Sequence, residues 1–114
     1  SLVAYFPKRG DFVRLSFDPQ AGHEQMGNRP ALVLSHTSFN QRMGFAFFCP
    51  ITNSKRPNPF YVPVTGDTHI TGVIMADQLR SLDYRARNVT FLGECPEDLF
   101  LEVLARIEPI IWGD

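Results

Sequence analysis

An acid and a strong hydrogen-bond donor stand five residues apart in one short segment, residues 22–30. Arg29 precedes a proline, which biases it towards extended backbone, so we expect it at the mouth of the apolar strand that follows. Gly22 and Gly27 permit sharp turns on either side of Glu24. Three further polar side chains share the segment: His23, Gln25 and Asn28. The spacing predicts that Glu24 and Arg29 face one small space. An isolated pair of this kind is more often a solvated ion pair on a hairpin loop.

The rest of the chain decides between these interpretations, because it resembles the MazF/PemK-type mRNA interferase toxins in a series of short motifs. The motifs are Gly10-Asp11, Phe17-Asp18-Pro19, residues 22–35, Cys49-Pro50-Ile51-Thr52, residues 72–78 and residues 81–87. They occur in the family's order and cover nearly the whole chain, which is more specific than any single motif. The resemblance implies an SH3-like barrel with helices, usually paired as a homodimer. It also implies a MazE-like antitoxin as partner and single-stranded mRNA as substrate.

The resemblance implies that Glu24, Arg29 and Thr52 are catalytic. Cleaving RNA without a metal needs a base for the ribose 2′-OH, a cation for the charged transition state and an acid for the departing 5′-oxygen. Glu24 is the expected base, Arg29 the charge stabiliser and Thr52 a hydroxyl donor to phosphate. The acid stays open between Arg29, whose guanidinium holds its proton tightly, and His23, whose imidazole titrates near neutrality. The expected products carry a 2′,3′-cyclic phosphate and a 5′-hydroxyl.

Further side chains are expected to hold the RNA by phosphate contacts or by hydrogen bonds to bases. The expected substrate-binding set is His23, Gln25, Asn28, Asn40, Lys55, Arg56, Asp77, Gln78, Arg80, Arg85 and Arg87. Asp77 has two interpretations, orienting the substrate or holding its own loop, and the second is favoured. Some family members carry an arginine two residues before this acid, and Met75 occupies that position here. An Arg–Asp catalytic arrangement is therefore not expected.

The hydrophobic pattern predicts a single domain, residues 1–114, of the mainly β (α+β) class. Strands are predicted at residues 11–17, 31–35, 45–49, 60–64, 73–76 and 88–92, with a short helical turn at residues 38–43. Short strands between long polar loops indicate a small barrel or a strongly curled sheet. With the family resemblance, the expected fold is an SH3-like small β-barrel with a C-terminal helix.

The C-terminal helix has clear signals at both ends. Pro96 suits its first position, and three apolar residues four apart, Leu99, Val103 and Ile107, share one face. Pro109 is expected to kink or end the helix, because proline removes a backbone hydrogen bond.

The net charge of −1 hides an uneven distribution. Residues 1–93 hold ten of the eleven Lys and Arg and six of the twelve Asp and Glu, a net of +4, whereas residues 94–114 have a net of −5. This asymmetry predicts a basic working face and an acidic helical back.

Cysteine and histidine usage excludes several classes of site. Cys49 and Cys95 lie far apart and are expected to be reduced thiols. Neither they nor the scattered histidines have metal-ligand spacing, so no metal or cofactor is expected. Apolar runs are too short to span a bilayer, and no secretory signal is visible, so a cytoplasmic protein without membrane contact is predicted.

Two other functions remain possible from the sequence. A CcdB-like gyrase poison is suggested by the aromatic-glycine pair Trp112-Gly113, although the terminal Asp114 departs from the apolar ending of those toxins. A non-catalytic SH3-like binding module would leave Glu24, Arg29 and Thr52 without a purpose. An RNA cleavage assay without metal separates the three.

Overall fold

The protein folds as a mainly β structure with helices. The computed structural model describes residues 4–18 and 27–113. Within these ranges the strands are β1 (Asp11–Ser16), β2 (Asn28–Val33), β3 (Phe45–Thr52), β4 (Tyr61–Pro63), β5 (Val73–Met75), β6 (Arg80–Asp83) and β7 (Thr90–Glu94). The helices are α1 (Thr37–Met43) and α2 (Glu97–Trp112), and a single 3-10 turn spans Ala76–Gln78. The predicted fold class is confirmed, while β6 has no counterpart among the predicted strands.

The sheet is antiparallel and curls around β3, its longest strand. Its order is β4-β5-β3-β2-β1-β7, and β6 pairs with β3 off this path. One edge of β3 is shared, because Phe45–Phe48 pair with β6 and Ile51–Thr52 pair with β5. The other edge pairs with β2. This division curls the sheet into the barrel-like shape expected of an SH3-like fold, and the end strands β4 and β7 do not pair with each other in the described ranges.

Both faces of the curled sheet are buried. Alternation along β1 shows why: Phe12 points to one face, whereas Val13 and Leu15 point to the other. The first face packs against Leu99, Val103 and Ile107, the residues predicted to share one face of α2. The second forms a separate cluster inside the curl: Val13, Leu15, Phe17, Ala31, Val33, Ala46, Phe48, Leu82 and Tyr84.

Helix α2 corrects two expectations at its ends. Pro96 lies immediately before the first helical residue rather than in the first helical position. Pro109 lies inside the helix, which continues to Trp112, so of the two expected effects, a kink or an end, the end is wrong. Proline removes only the hydrogen bond to the carbonyl of Ala105, which is exposed and therefore open to water. Within the described ranges neither helix is long and apolar enough to cross a membrane.

Candidate active site

Arg29 lies inside β2 rather than at its mouth, because this strand begins at Asn28, three residues before the predicted start. It is half-buried and pairs with Leu15 of β1. On the other side, β2 pairs with β3 so that Ala31 faces Pro50. The same register continued by two residues brings Arg29 level with Thr52, on the same side of the sheet.

The segment that holds Glu24, His23 and Gln25 lies outside the described residues, but its two ends are held together beside Arg29. The backbone N–H of Gly27 donates to Asp18 Oδ1 at 2.9 Å, and its carbonyl accepts the N–H of Phe17 at 2.9 Å. Gly27 has φ +76°, a conformation that favours glycine. Phe17 and Asp18 on one side and Gly27 on the other therefore lie together at one corner of the sheet, next to the exposed Asn28.

Arg87 stabilises the same corner from within the protein. Its Nη1 donates to the carbonyls of Ser16, at 3.0 Å, and Asp18, at 2.7 Å. The backbone N–H of Ser16 in turn donates to the Arg87 carbonyl at 3.1 Å. Arg87 thus fixes the entry to the Glu24 segment, whereas the nearby Arg85 is exposed.

A polar cleft lies where β3 ends, with a volume of about 380 Å³. Its lining consists of Thr52, Ser54, Arg56, Asn58, Tyr61, Asp77 and Gln78. Each of these side chains carries a hydroxyl, amide, carboxylate or guanidinium group. Four were candidates from the sequence: Thr52, Arg56, Asp77 and Gln78. The other three were missed, because Ser54 and Asn58 look like ordinary loop residues and Tyr61 like a strand residue.

Thr52 occupies the inner end of the cleft and is 7% exposed. Its Oγ1 accepts the backbone N–H of Ser54 at 3.2 Å, which leaves the hydroxyl proton directed elsewhere. Behind it, Gly72 approaches so closely that a Cβ there would lie 2.5 Å from the Thr52 carbonyl oxygen. Gly72 also has φ +118°, so only glycine suits this position. The backbone thus fixes the position of Thr52.

The outer wall of the cleft is formed by Asn58 and Asp77. Asn58 Oδ1 accepts the N–H of Phe60 at 2.8 Å, and its Nδ2 donates to Asp77 Oδ2 at 3.4 Å. Lys55 and Arg56 are exposed on the adjoining loop, where they add positive charge. The cleft therefore combines hydroxyl, carboxylate and amide groups with cations at its rim.

Two further candidates are located away from the cleft lining. The half-buried Arg80 guanidinium lies 5.6 Å from the ring centroid of Phe17, and its Nη1 is buried without a hydrogen-bond partner among the described residues. Asn40 is fully buried in the first turns of α1, and its Nδ2 donates to the carbonyls of Pro7, at 2.9 Å, and Ser35, at 3.2 Å. Contact with an RNA base would require Asn40 to leave these hydrogen bonds.

Neither cysteine lines the cleft. Burial, and next the negative charge of Asp77, raise the pKa of Cys49 well above its ordinary value. Both cysteines are free. Residues 4–18 and 27–113 hold no group of three or more His, Cys, Asp or Glu side chains that could bind a metal ion.

Comparison with known proteins identifies the class of protein, which is a toxin of a type II toxin–antitoxin system. Residues 8–111 match the family described as the PemK-like, MazF-like toxin of such systems. The chain is 40% identical over 108 residues to the endoribonuclease toxin MazF of Escherichia coli (strain K12), which covers 94% of this chain and 96% of that protein. The chain belongs to the PemK/MazF toxin family.

Solved structures agree with this assignment. MazF from Deinococcus radiodurans superposes with a TM-score of 0.90 at 42% identity, over 95% of this chain and 98% of that one. A MazE–MazF structure from the same organism gives a TM-score of 0.83 at 34% identity, over 97% and 100% of the two chains. The predicted family and fold are confirmed, and the predicted enzyme class is that of its curated relatives, which are endoribonucleases. This result favours the endoribonuclease over the gyrase poison and the binding module.

Proposed function

We propose that this protein is a sequence-selective mRNA interferase that cleaves single-stranded RNA by attack of the ribose 2′-OH, without a metal. The observation that carries the proposal is the polar cleft at the end of β3, with Thr52 inside it. The β2–β3 register, continued two residues beyond its last pair Ala31–Pro50, puts Arg29 opposite Thr52. A hydroxyl and a guanidinium on neighbouring strands suit a phosphate group, because both donate hydrogen bonds and one carries a positive charge.

The reaction needs one proton acceptor and one proton donor. Glu24 takes the proton of the 2′-OH while the 2′-oxygen bonds to phosphorus and the bond from phosphorus to the 5′-oxygen breaks. Arg29 stabilises the charge on the phosphate oxygens, and Thr52 donates a hydrogen bond to one of them. The 5′-oxygen receives its proton from Arg29 or from His23, and the products carry a 2′,3′-cyclic phosphate and a 5′-hydroxyl.

The remaining candidates divide by exposure. Exposed cations at the rim, Lys55 and Arg56, are suited to phosphates on either side of the scissile one, and Arg85 extends the basic surface. Phosphate contacts of this kind release counterions, so RNA affinity should fall with added salt. Asn28 begins β2 in an exposed position and Gln78 lines the cleft, which suits both to contacts with the nucleotides.

Cleavage assays on purified protein test the mechanism directly. Glu24→Gln and Arg29→Ala should each lower the cleavage rate by at least about 100-fold, since each removes a group that acts in the transition state. Circular dichroism should be unchanged. Arg14→Ala, which removes an exposed arginine of β1 outside the cleft, is the matched control and should cleave normally.

The nucleophile is tested with modified RNA. Replacing the ribose on the 5′ side of the scissile phosphate by 2′-deoxyribose should leave the strand intact, and excess chelator should leave cleavage of normal RNA unaffected. Cleavage of the deoxy-substituted strand would reject 2′-OH attack. Loss of activity with chelator, restored by a divalent cation, would reject the metal-independent route.

The proposed partners are a second copy of the chain and an acidic antitoxin, in the cytoplasm where mRNA is found. Four large apolar side chains of α1 and β3 are exposed and would be buried in a homodimer: Phe39, Met43, Phe45 and Phe47. The +4 net charge of residues 1–93 suits an acidic, MazE-like segment lying along the RNA groove.

An antitoxin segment that fills the cleft would prevent RNA from binding there. An antitoxin peptide titrated into toxin with bound 2′-deoxy-substituted RNA should displace the RNA, and added salt should weaken both complexes. A ternary complex without mutual loss of affinity would contradict occlusion.

A further inference from the structure

The outer wall of the cleft contains groups that the cleavage reaction does not use. Asn58 and Asp77 form it, and Tyr61 of β4 stands beside them. Tyr61 pairs with Met75 at the end of β5, immediately before the 3-10 turn that holds Asp77. The backbone N–H of Ala76 donates to the carbonyl of Phe60 at 3.1 Å, so the two segments stay joined up to the wall. Two paired strands therefore fix the three side chains relative to each other.

Hydrogen bonds orient the donor and the acceptor on this wall. Because Asn58 Oδ1 accepts the N–H of Phe60, the amide Nδ2 points to the Asp77 carboxylate. Asp77 itself is exposed. Among the described residues its carboxylate accepts a side-chain hydrogen bond only from Asn58, at Oδ2, so Oδ1 can accept from a ligand. A ligand entering the cleft therefore meets a carboxylate acceptor next to an amide donor, with the half-buried Tyr61 ring alongside.

That arrangement matches the edge of a nucleobase that carries an exocyclic amino group. Single-stranded RNA is read by hydrogen bonds to base edges and by stacking on aromatic rings. A carboxylate accepts hydrogen bonds from amino groups such as the cytosine N4 amine. Adenine, cytosine and guanine each have one such amino group, whereas uracil has carbonyl oxygens at C2 and C4 and no amino group. Uracil can offer the carboxylate only its N3–H, and the carbonyl oxygens on either side of that N–H would then lie against the negative charge of Asp77.

We infer that the outer wall of the cleft, Asn58, Tyr61 and Asp77, selects a base with an exocyclic amino group at one position of the RNA and rejects uracil there. This inference rests on the proposed RNA cleavage. Asp77 accepts the hydrogen bond of the amino group, Asn58 Nδ2 donates to an adjacent acceptor on the base, and Tyr61 packs against the ring. A good base contact discriminates by about 1–3 kcal/mol, which is about 5- to 150-fold in affinity. Because Asp77 is exposed, we expect about 10-fold.

An atom-deletion experiment tests this by measuring RNA affinity rather than cleavage rate, once a cleavage site is known. Sequencing the cleavage products of a mixed-sequence RNA identifies a favoured site, and a 2′-deoxy oligonucleotide of that sequence serves as a non-cleavable probe. In further probes each amino-bearing base is replaced in turn by its analogue without the amino group. Affinities are measured by fluorescence anisotropy for wild type, Asp77→Ala and Asp67→Ala. Asp67 is exposed and lies outside the cleft lining, so its variant controls for the change in charge.

The expected result is a loss of about 10-fold at one position for wild type and Asp67→Ala, and a loss of less than 3-fold at that position for Asp77→Ala. Equal losses in all three proteins, or no amino-sensitive position in wild type, would overturn the inference while leaving the proposed cleavage intact. A wild-type protein that cuts no RNA would instead reject the proposed function. Asn58→Leu should reproduce part of the Asp77→Ala effect, and an unchanged profile in that variant would remove Asn58 from the wall's role.

Discussion

Substituting Asn40 separates a structural role from a substrate-binding role at a residue that the sequence suggested for RNA contact. The Asn40 side chain is fully buried, in contact with Pro7 near the N-terminus and with Ser35 just before α1. Its Nδ2 donates to the carbonyls of Pro7 and Ser35, and its Oδ1 accepts from the Ser35 hydroxyl. Asn40→Ala removes all three hydrogen bonds at once. We therefore expect a large loss of stability and no direct effect on cleavage.

The loss in the free energy of unfolding depends on which hydrogen-bond partners of Asn40 can bind water instead. Pro7 is buried, so its carbonyl would be left without a partner, at a cost of about 1–3 kcal/mol. Ser35 is half-buried, so water can replace part of what its two groups lose. With a small cavity added, the free energy of unfolding should fall by about 2–4 kcal/mol, out of about 5–15 kcal/mol for a domain of this kind. The urea midpoint should then fall by about 1–3 M.

The assay compares urea unfolding with the cleavage rate per folded molecule, at one protein concentration because dimerisation affects apparent stability. Gln41→Ala, an exposed neighbour on α1, is the control and should shift the midpoint little. A variant with an unchanged midpoint and cleavage slowed by 10-fold or more would refute the structural role and assign Asn40 to the RNA.

Two other predictions concern α2 and the thiols. Arg106 Nη1 donates to the carbonyl of Pro59 at 2.6 Å and thereby connects α2 to the loop that carries Asn58. Arg106→Met should therefore weaken RNA binding about 3- to 10-fold, measured by fluorescence anisotropy, with little unfolding. An unchanged affinity would contradict this link. Burial, and next Asp98, raise the pKa of Cys95 to about 12. Unfolded thiols ionise at lower pH than folded ones, so the free energy of unfolding should fall as pH rises above about 9. Cys95→Ser should reduce that dependence in urea titrations and leave the part that the buried Cys49 contributes.

Most elements could be predicted because their signals are local. Alternating apolar residues identified β1, and a continuous apolar run identified most of β3. The apolar face of α2 was predicted residue by residue, since a 3.6-residue period needs no knowledge of partners. Predictions from local sequence failed where solvent exposure or strand pairing determined the structure. Pro109 remains helical because its lost hydrogen bond lies in an exposed last turn, and β6 was missed because its four residues become a strand only by pairing with β3.

The catalytic candidates could be predicted from local motifs, whereas the outer wall of the cleft could not. Arg29 and Thr52 belong to short motifs that a family resemblance identifies, and the β2–β3 register brings them level. Asn58 and Asp77 are 19 residues apart in sequence, and no spacing rule connects them. Their contact depends on the pairing of β4 with β5 and on the backbone hydrogen bond that extends it to the 3-10 turn. We therefore expect substitutions in β4 and β5 to change which base is accepted while the catalytic groups remain the same.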